Sequence, residues 1–276
     1  MIEVLRAGPL TTVQDQGRPG YAHLGVPRSG ALDAPAARLA NRLVGNPSSA
    51  AVLETTLMGC TLRFAAAATV AVIGAAATVT VDGNRLSGLL DVPAGGVLDV
   101  GRASAGVRSY VSVAGGITVD PVLGSRSTDT LSGLGPARLV DGMLLPTGRP
   151  YRDPAWAAHL LPLIADELVV GVRLGPRDDW FEPGELFAGA YRISPVSNRV
   201  GTRLAGPALT RTKAGELPSE GVVLGAIQVP ADGQPLIFLA DHPTTGGYPV
   251  IGVVDDVTPL AQARPGTTVT FHGPER

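Results

Sequence analysis

The chain has 276 residues, a formal net charge of −2 and one cysteine, so it can bury a substantial core but cannot carry a disulfide framework. No basic run is present to neutralise phosphates, which argues against nucleic acid as a partner. Of the 22 basic residues 21 are Arg, so a triphosphate loop ending in Lys-Ser/Thr and a Met-Lys-Met biotin site are both excluded, and any Ser-Lys or Schiff-base chemistry would rest on Lys213 alone.

Glycine at 36 residues is about twice its usual share of roughly 7%, and with 24 prolines it predicts many short strands joined by tight turns. Residues 1 to 13 alternate weakly as strands around Gly8-Pro9. The stretch Thr11 to Asp33 is polar, glycine-rich and too long for a tight turn. Asp33 caps a helix with Pro35 in its first turn, and Leu32, Ala36, Leu39 and Leu43 recur at helical spacing until Gly45-Asn46-Pro47. From Ala51 to Gly148 the sequence reads as strands: Val52 to Phe64, Val70 to Ile73, Val79 to Val81, Val97 to Val100, Val107 to Val113 and Arg138 to Leu145. The uncharged window Phe64 to Val81 is broken by Gly74 and predicts two strands meeting at a turn rather than a membrane span.

Gly148 to Pro162, with prolines at 150, 154 and 162, reads as a linker, placed at 151–164 between halves 1–150 and 165–276. The second half opens with a strand over Leu168 to Leu174, followed by a short helix or turn over Asp178 to Phe187. Its central feature is a hairpin, Val222 to Val229 and Leu236 to Ala240, turning at Asp232-Gly233. The second strand runs into Asp241-His-Pro-Thr-Thr-Gly-Gly-Tyr248, a cluster of a carboxylate, an imidazole, hydroxyls and a phenol that is costly to bury without partners. Leu260 to Phe271 closes the chain as a turn and a strand. Gly124-Ser-Arg-Ser-Thr-Asp129 reads either as a carboxylate- or phosphate-binding loop or as an ordinary capped turn. His23, His159, His242 and His272 are far apart and no ligand-spacing motif is present, so no metal is expected. Cys60, in an apolar stretch, reads as a small buried hydrophobe. The N-terminus lacks a basic region followed by an apolar one, so a cytoplasmic location is expected.

Nine ordered motifs then resemble one family. They are Thr12-Val-Gln-Asp-x-Gly-Arg-x-Gly20, Gly25-Val-Pro-x-Ser-Gly-Ala-x-Asp33, Asn41-x-Leu-Val-Gly-Asn46, Leu53-Glu-x-Thr-Leu57, Val113-Ala-Gly-Gly-Ile117, Leu123-Gly-Ser-Arg-Ser-Thr-Asp129, Ser197-x-Arg-x-Gly-x-Arg-Leu204, Gly225-Ala-Ile-Gln-Val-Pro230 and Asp241-His-x-Thr-Thr-Gly-Gly-Tyr-Pro249. The chain is similar to the family that takes in allophanate hydrolase subunit 2, the C-type 5-oxoprolinase subunits and the biotin-dependent carboxyltransferases (KipA-like), over nearly its whole length. Cys60 stands where that family usually has Pro, and Pro243 where it usually has Gln.

The resemblance implies an all-β fold of two cyclophilin-like barrel halves with a few short helices. It implies a subunit of an ATP-dependent 5-oxoprolinase opening a lactam to glutamate, with a subunit 1 or B-type (KipI-like) partner, a third A-type subunit, and an ATP site on or shared with a partner. The alternatives are a carboxyltransferase taking CO₂ from carboxybiotin on a separate carrier to urea or a urea-like amide, and a non-catalytic KipA-like regulator of a KipI-like protein. Either reaction needs an amide nitrogen activated and a carboxylate or carbonyl held. Asp241, Asp15 and Glu54 are the candidate bases, and Arg126, Arg199 and Arg203 the candidate carboxylate holders. Gln14, Gln228, Thr244, Thr245 and Tyr248 are candidates to orient the amide, with Gly246 and Gly247 admitting an oxyanion to backbone N–H groups.

Overall fold

The computed structural model describes residues 1–154 and 165–273, so most of the linker expected at 151–164 lies outside the described residues. The chain divides into two compact units. The first holds Met1–Arg18 and the chain from Ser29, and the second holds Pro19–Arg28 and the chain from Ala165. Nothing in the composition of residues 19–28 marks this exchange.

The first unit contains β1 (Ile2–Arg6), β2 (Thr11–Gln14), helix α1 (Ala34–Leu43), β3 (Val52–Thr56), β4 (Thr61–Phe64), β5 (Ala68–Val81), β6 (Asn84–Leu86), β7 (Leu89–Val92), β8 (Val97–Val113) and β9 (Leu144–Leu145). Its nine strands form one sheet, ordered β2-β3-β8-β4-β1-β9, with β5 branching to β6, β7 and β8. Alternate residues of these strands, among them Ile2, Val4, Leu53, Leu62, Phe64 and Val111, meet in a dry core. Helix α1 begins as its sequence predicts, with the Asp33 carboxylate accepting from Ala36 N at 3.0 Å and Pro35 in the first turn. Its Ala36, Ala37, Ala40 and Leu43 pack on Ala71, Ile73 and Tyr110.

Strand boundaries differ from the sequence expectation in an informative way. The run Val52 to Phe64 is two strands, reversed where Leu57 and Gly59 take φ of +52° and +61°. The two strands expected around Gly74 are one, β5, and Val97–Val100 and Val107–Val113 are likewise joined in β8. Gly74 takes φ +119°, and a Cβ there would lie 2.3 Å from Arg108 O. This glycine therefore makes a bulge where β5 crosses β8 rather than a turn, and the register shifts at that point. Of Arg138 to Leu145 only Leu144–Leu145 pairs as strand.

The second unit contains β10 (Glu167–Leu174), α2 (Glu185–Ala188), β11 (Ala190–Ile193), β12 (Gly201–Ala205), β13 (Glu220–Gly221), β14 (Ala226–Gln228), β15 (Leu236–Phe238), β16 (Thr245–Gly246), β17 (Val250–Val254), α3 (Thr258–Gln262) and β18 (Thr268–His272). Seven of these strands close a barrel in the order β10-β17-β14-β15-β12-β11-β18, and β13 pairs with β16 beside it. Parallel pairing of β10 with β18 belongs to this closed ring, which leaves the barrel no free edge. The predicted hairpin is present, with Ile227 opposite Ile237 and Gln228 opposite Leu236, although its strands are shorter than the apolar runs. The short helix α3 stands where only a turn is expected. Thus the all-β reading with few short helices holds. Among the described residues no helix is long and apolar enough to cross a membrane.

Candidate functional site

In the first unit the segment after β2 meets the loop 125–129, and that loop does bind a carboxylate, the chain's own. Asp15 Oδ1 accepts from Gly17 N (2.8 Å), Ser125 Oγ (2.6 Å) and Ser127 Oγ (2.6 Å), and Oδ2 accepts from Arg126 N (2.6 Å). Gln14, fully buried, donates from Nε2 to Thr12 Oγ1 and Thr128 O, each at 3.0 Å. Arg126 is half-buried and its Nε donates to Val119 O at 2.7 Å. Glu54, across the ladder from Thr12, faces a different set: Oε2 accepts from Leu32 N (3.0 Å) and Tyr110 Oη (2.9 Å), while Arg108 Nε lies 3.5 Å from Oε1. Tyr110 in turn accepts from Asp33 N at 2.7 Å, and burial first, then the Glu54 charge, pushes its phenol well above the ordinary value. Asp15 thus has both oxygens engaged in holding Gly17 and the loop 125–127, and Glu54 holds Leu32, at the entry to α1, through Oε2 with Arg108 beside Oε1. A groove of about 640 Å³ in this unit, lined by Ala66, Ala67, Val92, Pro93 and Val113 among others, contains none of the predicted site residues.

In the second unit Asp241 and Arg199 form a bidentate pair. Arg199 Nε donates to Oδ2 and Nη2 to Oδ1, both at 2.9 Å, and the side chains are 1% and 0% exposed. Asp241 N donates back to Arg199 O at 3.1 Å, so the pair stitches the turn before β12 to the exit of β15 by main chain and side chain together. Downstream, the segment is held on two sides: Val222 N donates to Thr244 O, Thr245 and Gly246 pair with Gly221 and Glu220, and Gln228 Nε2 donates to Tyr248 O at 3.1 Å. A Cβ on Gly246 would lie 2.5 Å from Gln228 Nε2, so glycine is what lets that amide reach Tyr248. The segment presents Thr245, Gly247 and Tyr248 to solvent, Tyr248 at 48% exposure, with Thr244 half-buried. Arg203 on β12 is exposed, its backbone exchanging hydrogen bonds with Ser197 Oγ.

Comparison with known proteins places the chain in a family. Residues 24–273 match the family model described as carboxyltransferase domain, subdomain A and B. The chain belongs to the carboxyltransferase-domain family. It is 40% identical to the C-type 5-oxoprolinase subunit of Escherichia coli (strain K12), over 98% of this chain and 90% of that protein. It is 36% identical to urea amidolyase of Lachancea kluyveri over 98% of its own length, but spans only 17% of that longer chain. Among solved structures it resembles Kluyveromyces lactis urea carboxylase with TM-score 0.90 and 31% identity, covering 99% of this chain and 27% of the other.

Several residues of the family motifs that sequence reasoning passed over are central to the geometry. Arg18, 1% exposed, donates from Nη1 to Ser29 Oγ at 3.2 Å and from Nη2 to Ser127 O, and Ser29 Oγ donates to Asp129 Oδ2 at 3.0 Å. Ser29 takes φ +55°, a conformation unfavourable for a residue with a Cβ and held here by those two partners. The signal for Arg18 was its place in Gln16-Gly-Arg-Pro-Gly20, where arginine pins a turn. His242 is the second omission: it is buried, its ring lies tilted against Phe238 with centroids 5.9 Å apart, and Nδ1 is 2.6 Å from Pro243 O.

Proposed function

We propose that this chain is a subunit of an ATP-dependent 5-oxoprolinase-type complex that hydrolyses an amide or lactam, 5-oxo-L-proline giving L-glutamate, together with a related subunit 1 or B-type partner and an A-type subunit. The observation that carries this reading is identity, 40% to the C-type 5-oxoprolinase subunit of Escherichia coli against 36% to the urea amidolyase of Lachancea kluyveri. This chain and the C-type 5-oxoprolinase subunit of Escherichia coli align over 98% and 90% of their lengths, whereas in urea amidolyase the same domain is a small part of one long polypeptide.

The surface that supports the reading is the rim formed by Thr245, Gly247 and Tyr248. The buried Arg199–Asp241 pair and the Gln228 amide hold this segment from beneath. Of the three arginines considered as carboxylate holders, Arg203 carries the exposed guanidinium, while Arg199 is committed to Asp241 and Arg126 to Val119 O. Arg203 is accordingly our candidate for a substrate carboxylate. Among the described residues the two groups best suited to phosphate are already engaged: the donors of the Ser125–Ser127 loop are filled by Asp15, and Lys213, the only lysine in the sequence, is paired with Asp179. We therefore assign the ATP site to a partner subunit or to a surface shared with one.

A second reading, carboxyl transfer from carboxybiotin to a urea-like amide, is favoured by the family description and by the likeness to urea carboxylase. The deciding experiment co-expresses the chain with the partner subunits and measures ATP-dependent glutamate release from 5-oxoproline with and without it. Release that requires this chain supports the first reading. No release, with carboxybiotin consumed when urea-like amides are supplied, replaces it by the second. Failure of both, with tight binding to the B-type partner, replaces it by a regulator.

A further inference from the structure

A second, smaller cavity of the first unit, about 310 Å³, shares Arg152 and Asp153 with the groove described above. Its wall is Arg42 in the last turn of α1, Gly45 and Asn46 in the turn that follows, and Tyr151, Arg152 and Asp153. The two stretches meet closely because residue 45 is glycine. It takes φ +75°, and a Cβ there would lie 2.5 Å from Arg152 O and 2.9 Å from Asp153 O. This close approach puts both arginines on one cavity. Arg42 is not needed to cap its helix, since Val44 N, Gly45 N and Asn46 N already donate to Ala40 O, Arg42 O and Asn41 O. The Asn46 side chain is spent as well, with Nδ2 donating to Val113 O and Oδ1 accepting from Gly115 N, each at 2.8 Å. Arg42 and Arg152, by contrast, are exposed, and among the described residues neither guanidinium makes an ion pair or a hydrogen bond.

We propose that this cavity binds a small molecule through one oxyanion group, a phosphate or a carboxylate, held between Arg42 and Arg152 with the Tyr151 hydroxyl as a further donor. A guanidinium presents paired N–H groups that match the oxygens of such a group. Two cations on one wall repel each other, and an anion between them turns that repulsion into two attractions. Asp153 is the only carboxylate on the same wall. It offsets one of the two arginine charges, so the wall suits a single oxyanion group rather than a polyphosphate. The volume lies at the small end of the range for ligand sites, which limits the molecule to a few heavy atoms beyond that group. The site lies wholly in the first unit and uses none of the residues assigned to amide chemistry, so it stands whichever reaction the complex performs.

The test is calorimetric titration of the full chain with inorganic phosphate in one arm and succinate in the other, at an ionic strength held constant with sodium chloride. Wild type is compared with Arg42→Gln, Arg152→Gln and the control Arg85→Gln, which removes the same charge from β6, outside the cavity. Wild type and control are expected to saturate in at least one arm with a Kd of about 1 mM or tighter, and each of the other variants to bind about tenfold more weakly. The tighter arm tells a phosphate ligand from a carboxylate. No saturation below about 10 mM in either arm overturns the proposal, as does saturation that Arg42→Gln and Arg152→Gln leave unchanged. A second readout does not depend on any variant. During the wild-type titration the ¹H–¹⁵N amide signals of Gly45 and Arg152 are expected to move with the bound fraction, and movement confined to other residues would place the anion elsewhere and overturn the assignment.

Discussion

Asp15 and Asp241 are both buried carboxylates in motif segments, yet the two units satisfy them by opposite means. Asp15 in the first unit is held by neutral donors, two hydroxyls and two backbone N–H groups. Asp241 in the second is held by one guanidinium. Removing a carboxylate surrounded by neutral donors leaves dipoles unsatisfied, and hydroxyls can turn to find other acceptors. Removing one that faces a buried arginine leaves a full charge without its counter-charge, which is the costlier defect. Burial alone therefore does not rank these positions; the partner's charge does.

The comparison breaks most readily at Asp241. Asp241→Ala is expected to destabilise the second unit by about 3–5 kcal/mol, the usual cost of stripping one partner from a buried ion pair, read as the loss of a folding transition in calorimetry. Asp15→Ala should cost the first unit less, about 2–3 kcal/mol, with Ser125→Ala and Ser127→Ala each costing roughly 1 kcal/mol of that by denaturant titration. Tyr110→Phe sharpens the point further, because it removes one hydroxyl that serves both Glu54 and Asp33 N. Its expected cost is about 1–2 kcal/mol. The smallest effect belongs to the partly exposed Glu220–Arg177 pair, where the hydrogen bond to Arg177 lowers the Glu220 carboxyl below its ordinary value. A carboxyl lowered on folding adds stability that is present above its unfolded pKa and is lost as pH falls through the folded one. Glu220→Gln should therefore leave the melting temperature unchanged in strong acid and lower it slightly at neutral pH.

What was legible in the sequence was set by local chemistry. The Asp33 cap and the alternation of the core strands act over a few residues and appear in the structure where the pattern places them, whereas the hairpin expected to turn at Asp232-Gly233 turns over Pro230 to Gly233, with positive φ at Gly233 and not at Asp232. Cys60 was legible too: it is fully buried, and burial pushes its thiol up to about 12, as expected of a small hydrophobe rather than a nucleophile. The continuity of β5 and β8 was not legible, because Gly74 can make either a turn or a bulge, and the choice depends on Arg108 O from a strand far along the chain. The candidate site was legible as a set of polar residues but not as a set of partnerships. Ser-Arg-Ser-Thr read equally as an anion-binding loop or a capped turn, because the carboxylate it holds, Asp15, lies 110 residues before Ser125, and Asp241 is claimed by an arginine 42 residues upstream. Spacing in a sequence names the donors without naming what they hold.

The most direct test of the account is a double-mutant cycle on Arg199 and Asp241, measured in the assembled complex for melting temperature and turnover together. If the pair is framework, Asp241→Ala and Arg199→Met each lower the melting temperature sharply, and Arg199→Met combined with Asp241→Leu recovers at least ~1 kcal/mol over either, since an apolar pair replaces a buried ion pair at little cost. An Asp241→Ala chain that melts with the wild type while its turnover falls ~100-fold would contradict the account and make Asp241 a participant in the chemistry.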